Sequence, residues 1–580
     1  MKNLSTILQV AFTEAIKNAP FYNVILERFL PAEITQSSSL SFGHYQCNSI
    51  LKIAQFLKIS PKEIATSVLC CLDKNLERMT QSIEITSPGF INVSFSASFL
   101  AEQVKESLKD ARLGVEIPIQ REKVIVEFSS PNIAKELHVG HLRSTIIGDS
   151  IARLLEFLEY PVLRLNHIGD WGTQFGMLIA YLKEKEATQS YNLPSLMQSY
   201  QRAKQEFDLH EEFKKRAQQE VIALQNQDPN SLAIWEKICE ASQKAYQEIY
   251  DLLDIKLAER GESFYKDQLP YIVQDLENKG LIQVSNGAKC LFFEEFKGKD
   301  GLPLPIIVQK SDGGYNYSTT DIAAMRHRIQ EEKASRIIVV TDSGQTLHFQ
   351  MIYRAAVAAG YLDPKKVRFD HVIFGVVLSP EGKKFKTREG STEKLIDLIF
   401  KAIAEAKVIL QQRISGLSLE ELDAMSKDLG IDAIKYADLS CHRQKDYTFS
   451  YEKMLRFDGN TAPYLLYSFV RIQGIKRRVK KETCSLLRTT TIILDHPTEV
   501  ALALHLRQFG EALFAMARDL LPNRLADYLY HLAEKFHAFF RDCRVEGNKL
   551  EDSRLLLCEL TGRILEKGLS ILGLKTLHKM

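Results

Sequence analysis

Hydrophobic positions change their period several times along this chain. The opening segment MKNLSTILQVAFTEAIKNAPF spaces its apolar residues at helical intervals, interrupted by Gln9, Thr13 and Glu14, and predicts an amphipathic helix rather than a signal peptide. SIEITSPGFINVSF (82–95) alternates with period two on both sides of Pro88-Gly89 and predicts two strands around a turn. Helical spacing dominates the rest of the first 110 or so residues, so this part reads as a separate N-terminal α+β domain.

At about residue 121 the pattern shifts to a β-branched run, Val124 to Phe128, that ends in small and turn-forming residues. The helical segment LRSTIIGDSIARLLEFLEY (142–160) and the strand-like PVLRLNHIGD (161–170) follow. Strand, helix, strand is the unit of a parallel sheet. Residues 183–260 are charged and helical, broken at Asp228-Pro229-Asn230. Strand-like runs return at 281–284, 290–296, 304–309, 336–342 and 367–378, with a helical HFQMIYRAAVAAG at 348–360. The spacing predicts a sheet in two halves, with an insertion at about 183–300. From 391 onward the pattern is almost wholly helical, with Arg471, Lys476, Arg477, Arg478, Lys480 and Lys481 clustered in the middle. A basic helix face of this kind is ordinarily just solvated.

Composition narrows the class. At about 150 residues per domain, 580 residues suggest some four folding units. Hydrophobic residues at 45% and charged residues at 26% exclude a disordered tail protein and a small disulfide scaffold. With 75 basic and 73 acidic side chains the net charge is +2, which does not suit a purely electrostatic nucleic-acid coat but leaves room for a local basic patch. None of the nine cysteines forms a CxxC pair, so the sequence predicts no protein-bound zinc and reads as a cytoplasmic protein with reduced thiols. No run of 18 apolar residues predicts a membrane span.

The sharpest chemistry lies in EFSSPNIAKELHVGHLRSTIIGD (127–149). His138 and His141 flank Val139-Gly140 just before a helix. A helix N-terminus offers unpaired N–H groups and partial positive charge to an anion, and imidazoles donate to phosphoryl oxygens as charge builds. Glycine at 140 allows close approach to the backbone. Two histidines at a strand-to-helix turn are equally compatible with a purely structural role. About 240 residues downstream SPEGKKFKTREGS (379–391) supplies a lysine-rich loop, also readable as an exposed basic turn. Facing the first segment, such a loop suits ATP whose pyrophosphate must leave.

Together the two segments resemble the paired ATP motifs of class I aminoacyl-tRNA synthetases, HIGH and KMSKS. The first stands here as HVGH; in the second, Lys384-Phe385-Lys386-Thr387-Arg388 fills the five places, with Thr387 where the family's second lysine stands. Arginyl-tRNA synthetases often lack that lysine and carry another just upstream of HIGH, a position held here by Lys135. HIGDWGTQFGMLI (167–179), GYNYSTTDIAA (314–324), TDSGQTLHFQ (341–350) and YLLYSFVRIQ (464–473) resemble segments of the same family in the same order.

The resemblance implies an α/β plus α architecture: a Rossmann-type catalytic domain with a split parallel sheet and a helical insertion, an N-terminal α+β added domain and a C-terminal helical anticodon-binding bundle. The expected boundaries are 1–112, 113–390 with the insertion at about 183–300, a connecting helical region at 391–454, and a DALR-type bundle at 455–580. It implies ATP-dependent attachment of L-arginine to tRNA(Arg) through arginyl-adenylate, with Mg2+ held mainly by the ATP phosphates. His138, Gly140, His141, Lys135, Lys384 and Lys386 are then expected on the ATP side, with Lys383 a further possibility in the same loop. The resemblance maps Tyr317 and Asp321 to the arginine side chain, and Ser130, Asn132, His141 and Gln345 to further substrate contacts.

A guanidinium is best met by carboxylates in fork geometry, which adds Glu127 at the first strand's end. Glu127 is also placed to pair with a core lysine or arginine, Tyr317 to pack, and Asp321 to cap a helix. On the RNA side the expected contacts are Tyr45, Gln46 and Asn48 in SFGHYQCN, and Arg471, Lys476, Arg477 and Arg478. A monomer with no membrane association is expected. The alternatives are a class I synthetase for another amino acid such as lysine, and a tRNA-binding relative without catalysis.

Overall fold

The computed structural model describes residues 1–184, 191–379, 382–383 and 394–579. They form two units: one of residues 118–456 with 571–574, the other of residues 1–117 and 457–570 with the residues from Lys575.

In the second of these, the alternation around Pro88-Gly89 becomes an antiparallel pair. Four strands, β1 (Ile34–Gln36), β2 (Tyr45–Cys47), β3 (Thr80–Thr86) and β4 (Phe90–Phe95), make a sheet in the order β1-β2-β4-β3. Helices of the first 110 residues, among them Leu4–Asn18 and Ala97–Lys109, share the unit with the helices Ala462–Val479, Pro497–Arg507, Phe509–Asp519, Asn523–Asp542 and Glu551–Ile571. The two ends of the chain are joined through buried polar contacts. Glu511 accepts hydrogen bonds from the Ser5 amide and the Tyr45 hydroxyl at 2.8 and 2.9 Å. Fully buried Arg507 donates to Gln103 and to the carbonyl of Lys2. The segments at 1–112 and 455–580 are therefore packed as one body, although the sequence pattern separates them.

The other unit is built on five parallel strands: β5 (Val124–Glu127), β6 (Val162–Asn166), β7 (Ala258–Glu259), β11 (Arg336–Asp342) and β12 (Arg368–Phe374), ordered β12-β11-β5-β6-β7. All four residues of β5 are buried, as the central strand of a sheet covered on both faces requires. The strand order reverses between β5 and β11, so a crevice opens at the carboxyl ends of these strands.

The sheet is split as expected, with β5 and β6 before the insertion and β11 and β12 after it, but not every strand between them follows the expected pattern. The edge strand β7 comes from within the predicted insertion, and β8 (Gln283–Ser285), β9 (Ala288–Leu291) and β10 (Ile306–Gln309) form a separate antiparallel sheet. The two-residue turn Asn286-Gly287, both at positive φ, forces β8 and β9 into a hairpin, which a parallel sheet does not accept. The inserted helices include Leu193–Leu209, Glu211–Gln225 and Pro229–Leu252. Asp228 caps the last by accepting from the Ser231 amide, with Pro229 in its first turn, which is why the chain breaks there. After β12 come a short parallel pair, β13 (Val377–Leu378) and β14 (Tyr447–Thr448), and the helices Leu395–Arg413, Leu419–Leu439 and Tyr451–Met454. No helix among the described residues is long and apolar enough to cross a membrane.

Candidate active site

The site residues stand just past the ends of the parallel strands. After β5 the chain turns sharply at Ser129 and Ser130, whose φ angles of 69° and 46° cost non-glycine residues on the order of 1–2 kcal/mol each. A polar network holds the turn. The Ser129 amide donates to Ser144 Oγ, Ser144 donates to the Val340 carbonyl, and the Ser130 amide donates to Asn166 Oδ1, at 2.7–3.0 Å.

The helix Val139–Phe157 then starts with His138 as its extended N-cap. The Gly140 amide donates to His138 Nδ1 and the His138 amide donates to His141 Nδ1, both at 3.1 Å. The rings lie 4.0 Å apart between centroids. A nitrogen that accepts carries no proton, so each neutral ring keeps its proton on Nε2 and offers one donor outward. Burial, with the charges of His138 and Lys135, pushes His141 down to about 3; burial and Lys135 also lower His138. Both rings are therefore neutral donors at ordinary pH. Gly140 is required by the first ring: a Cβ there would stand 2.9 Å from His138 Cε1.

Arg143, one turn on, is fully buried and pairs with Asp438 at 3.0 Å. It also donates to the Gly375 carbonyl at 2.7 Å, which ties the histidine helix to the end of β12.

Asn316 caps the helix Tyr317–Gln330, which presents Tyr317 and Asp321 one turn apart. His348 Nε2 meets Asp321 Oδ2 at 2.6 Å, and its ring lies tilted against the Tyr317 ring, 5.0 Å between centroids. His167 Nε2 lies 3.5 Å from the other carboxylate oxygen. Burial would raise the Asp321 carboxyl, but the two histidines outweigh it and hold the group far below the usual carboxylate range. Glu262, after β7, shows the opposite balance: burial, with Asp321 and Asp170 adding to it, raises it to about 8 against the opposing effect of His167.

These groups line one cavity of about 1540 Å³. Its walls include Glu127, Ser130, Asn132, His138, Gly140, His141, Tyr317, Asp321 and Gln345 from the sequence-predicted set. His167, Glu262 and His348 are added by the structure; no motif marks Glu262, and the histidines acquire meaning only once Asp321 is placed between them.

Other expectations change. The Glu127 carboxylate is buried and paired with Arg328 at 2.5 Å, the structural pairing the sequence left open, so it is not a free partner for a ligand guanidinium. Lys135 does not line the cavity; its Nζ lies 5.8 Å from the Tyr200 ring centre, on an inserted helix. Asp170 is buried against Ser263, and Trp171 reaches the cavity wall. Lys384 and Lys386 lie outside the described residues, and Lys383 is exposed. Among the described residues no group of three histidine, cysteine, aspartate or glutamate side chains is arranged to hold a metal ion.

The family model "tRNA synthetases class I (R), catalytic domain" matches residues 103–451. The "Arginyl tRNA synthetase N terminal domain" matches 6–95 and the "DALR anticodon binding domain" 465–580. The arginine–tRNA ligase of Protochlamydia amoebophila (strain UWE25) is 54% identical over 586 residues, and that of Chlamydia pneumoniae 52% over 581; each match covers 100% of both chains. The chain belongs to the class I arginyl-tRNA synthetase family. Among solved structures, the Plasmodium falciparum arginyl-tRNA synthetase superposes with a TM-score of 0.85 at 34% identity, covering 100% of both chains. The Thermus thermophilus arginyl-tRNA synthetase shares the fold at a TM-score of 0.80 and 22% identity, again over 100% of both.

The RNA-side expectations meet their tertiary surroundings in the other unit. Tyr45 is fully buried, because alternation along β2 turns it and Cys47 inward. It is therefore not an RNA contact. Gln46 and Asn48 face the other way and hydrogen-bond Asn92 and Thr35. In the basic cluster, Lys476 pairs with Glu559, Arg478 with Glu546, and Lys481 with Asp552, each at 2.6 Å. The chain from 546 to 559 brings its acids against these cations, so three of them are engaged in ion pairs at the bundle surface. Arg471 differs. Its guanidinium lies over the rings of Tyr467 and Phe540, at 4.8 and 5.1 Å. Arg477 is exposed and donates to the His578 carbonyl. Of the aromatics on the helix Asn523–Asp542, Tyr528, Phe536 and Phe539 are buried, while Tyr530 and Phe540 are half-buried.

Proposed function

We propose that the cavity at the strand ends holds ATP and arginine together, with Asp321 and Glu262 facing the guanidinium and His138 and His141 facing the phosphates. The chain is an arginine–tRNA ligase: it attaches L-arginine to tRNA(Arg) at the expense of ATP, through arginyl-adenylate, releasing pyrophosphate and AMP. The observation that carries the residue assignment is that the Asp321 carboxylate and the two imidazoles line the same cavity. Its volume of about 1540 Å³ exceeds the roughly 300–1,000 Å³ of an ordinary ligand pocket, which suits two substrates and an RNA end.

In this reading the arginine carboxylate attacks the α-phosphorus, and pyrophosphate leaves. The Nε2–H groups of His138 and His141 donate to phosphate oxygens as negative charge grows; being neutral and fixed by their Nδ1 contacts, they need no reorganisation. Asn132 and Gln345 orient the α-amino and carboxylate groups, and Ser130 shapes the floor between them. Lys135 acts through its charge, which reaches both histidines, rather than by contact. Lys384 and Lys386 take their phosphate role from the family resemblance alone. Magnesium would be held mainly by phosphate oxygens and water. The RNA's terminal ribose hydroxyl then attacks the activated carbonyl. Arg471 between Tyr467 and Phe540 offers a cationic, aromatic surface to single-stranded bases of the anticodon loop. Nine free thiols support a reducing compartment such as the cytoplasm.

The test is ATP–pyrophosphate exchange with each standard amino acid, with and without tRNA. Exchange with arginine, lost in Asp321→Asn, is expected; exchange driven equally well by another amino acid contradicts the assignment of the pocket.

A further inference from the structure

His167 follows β6 and is buried, its side chain only 9% exposed. Neither ring nitrogen has a hydrogen-bond partner, an uncommon state for a buried imidazole and one that asks for a ligand. Acids face it from every neighbouring element: Glu127 from β5, Glu262 after β7, Asp321 from the helix Tyr317–Gln330, and Asp170 from its own loop. The cation opposite, Arg328, is already taken by Glu127. Asp321 Oδ2 is taken by His348, which leaves Oδ1 to His167 at 3.5 Å, long for a hydrogen bond.

We propose that His167 is a specificity-determining residue of the arginine pocket: in the empty pocket its imidazolium is the counter-ion of Asp321, and the incoming guanidinium displaces that charge, so that each arginine bound releases one proton. This rests on the reading of Asp321 as the guanidinium's partner. A guanidinium has five donors and no acceptor, so it cannot bond to a protonated ring, whereas it bonds both to the carboxylate and to a neutral ring's lone pair. Two cations on one carboxylate in a buried site repel each other. The step balances: the protonated ring plus the guanidinium in water gives the neutral ring, the bound guanidinium and a proton in solvent. Burial alone would lower the ring's titration, but Asp321 and Glu127 outweigh it and raise it above the ordinary 6.5, so the empty pocket holds the proton at and somewhat above that pH. Arginine then binds more weakly as pH falls, whereas a neutral ureido analogue, with no charge to displace the proton, shows no such trend.

The experiment is titration calorimetry of arginine into the full chain with tRNA, at pH 6.5, in phosphate and in ACES buffer, whose ionisation enthalpies differ. The native chain is expected to release one proton more per arginine than His167→Gln, in which Glu262 alone of the acids facing the pocket still titrates in this range. A buffer-independent heat in the native chain overturns the proposal. So does release that is undiminished in His167→Gln and vanishes in Glu262→Gln or His348→Gln. The native measurement needs no variant, so the test stands even where His167→Gln does not fold. Asp321→Asn separates the two layers: native-like arginine binding in that variant overturns the pocket reading beneath.

Discussion

The cavity at the strand ends and the basic helix Ala462–Val479 make opposite use of polar side chains. In the cavity, His138 and His141 spend only Nδ1 on the fold and keep Nε2 facing open space. On the basic helix, Lys476 and Arg478 spend their charge on Glu559 and Glu546, and Arg471 alone of these three lies on aromatic rings. A functional polar group differs from a structural one less in type than in what the fold leaves unengaged.

The sharpest way to break this contrast is at the histidines. Replacing His138 or His141 by alanine is expected to lower the rate of arginine-dependent pyrophosphate exchange about 10²–10³-fold, the cost of removing a preorganised donor to developing charge. Single-turnover adenylate formation measures it. A loss confined to KM for arginine would move these rings off the phosphates.

Asp321→Asn comes next. Removing the charged partner of a guanidinium typically costs about 2–5 kcal/mol, so KM for arginine should rise at least about thirtyfold. KM for tRNA, measured in the same aminoacylation assay, should hardly move.

Acid gives a third handle. The folded chain keeps His141 neutral, its titration shifted from 6.5 down to about 3. Burial likewise pushes His505 down to about 3 and His537, with the charge of Arg471 behind it, down to about 4. The unfolded chain takes up these protons first. Their contribution is therefore intact above about pH 6.5 and is lost progressively as pH falls toward about 3. Thermal unfolding followed from pH 7 to pH 4 should show Tm falling below pH 6.5; a Tm that is flat across this window contradicts the buried, neutral rings.

Smaller effects separate Arg471 from its neighbours. Arg471→Ala should raise KM for tRNA about tenfold, within the 1–3 kcal/mol of a stacked contact, and should reduce the salt dependence of binding. Lys476→Ala should leave tRNA binding within about twofold and cost no more than about 1 kcal/mol in urea unfolding, as expected for a partly exposed ion pair. Tyr45→Phe should change stability by about 1 kcal/mol, through its lost hydrogen bond to Glu511, and leave tRNA binding alone.

What could be read in advance follows the same division. The HVGH turn is local: four residues and a helix start fix where both imidazoles stand, and sequence suffices. Tyr317 and Asp321 were equally legible, because a helix places residues four apart on one face. Glu127 was not, since its partner Arg328 is some 200 residues away. The same holds for Lys476, whose partner Glu559 lies on another helix, and for His167, whose vacancy exists only after three strands and a helix converge. Tyr45 was misplaced for a simpler reason: a three-residue strand has a definite inner face, but nothing in SFGHYQCN says which parity points inward. In the fold, the parallel core was evident from strand, helix, strand, whereas the separate hairpin sheet hung on the Asn286-Gly287 turn.

The most direct test of the account measures KM for arginine and KM for tRNA side by side in Asp321→Asn and Arg471→Ala. A clean division is expected, with the first variant defective only toward arginine and the second only toward tRNA. If Asp321→Asn kept its affinity for arginine, or if Arg471→Ala lost arginine while retaining tRNA, the division of labour described here would be contradicted.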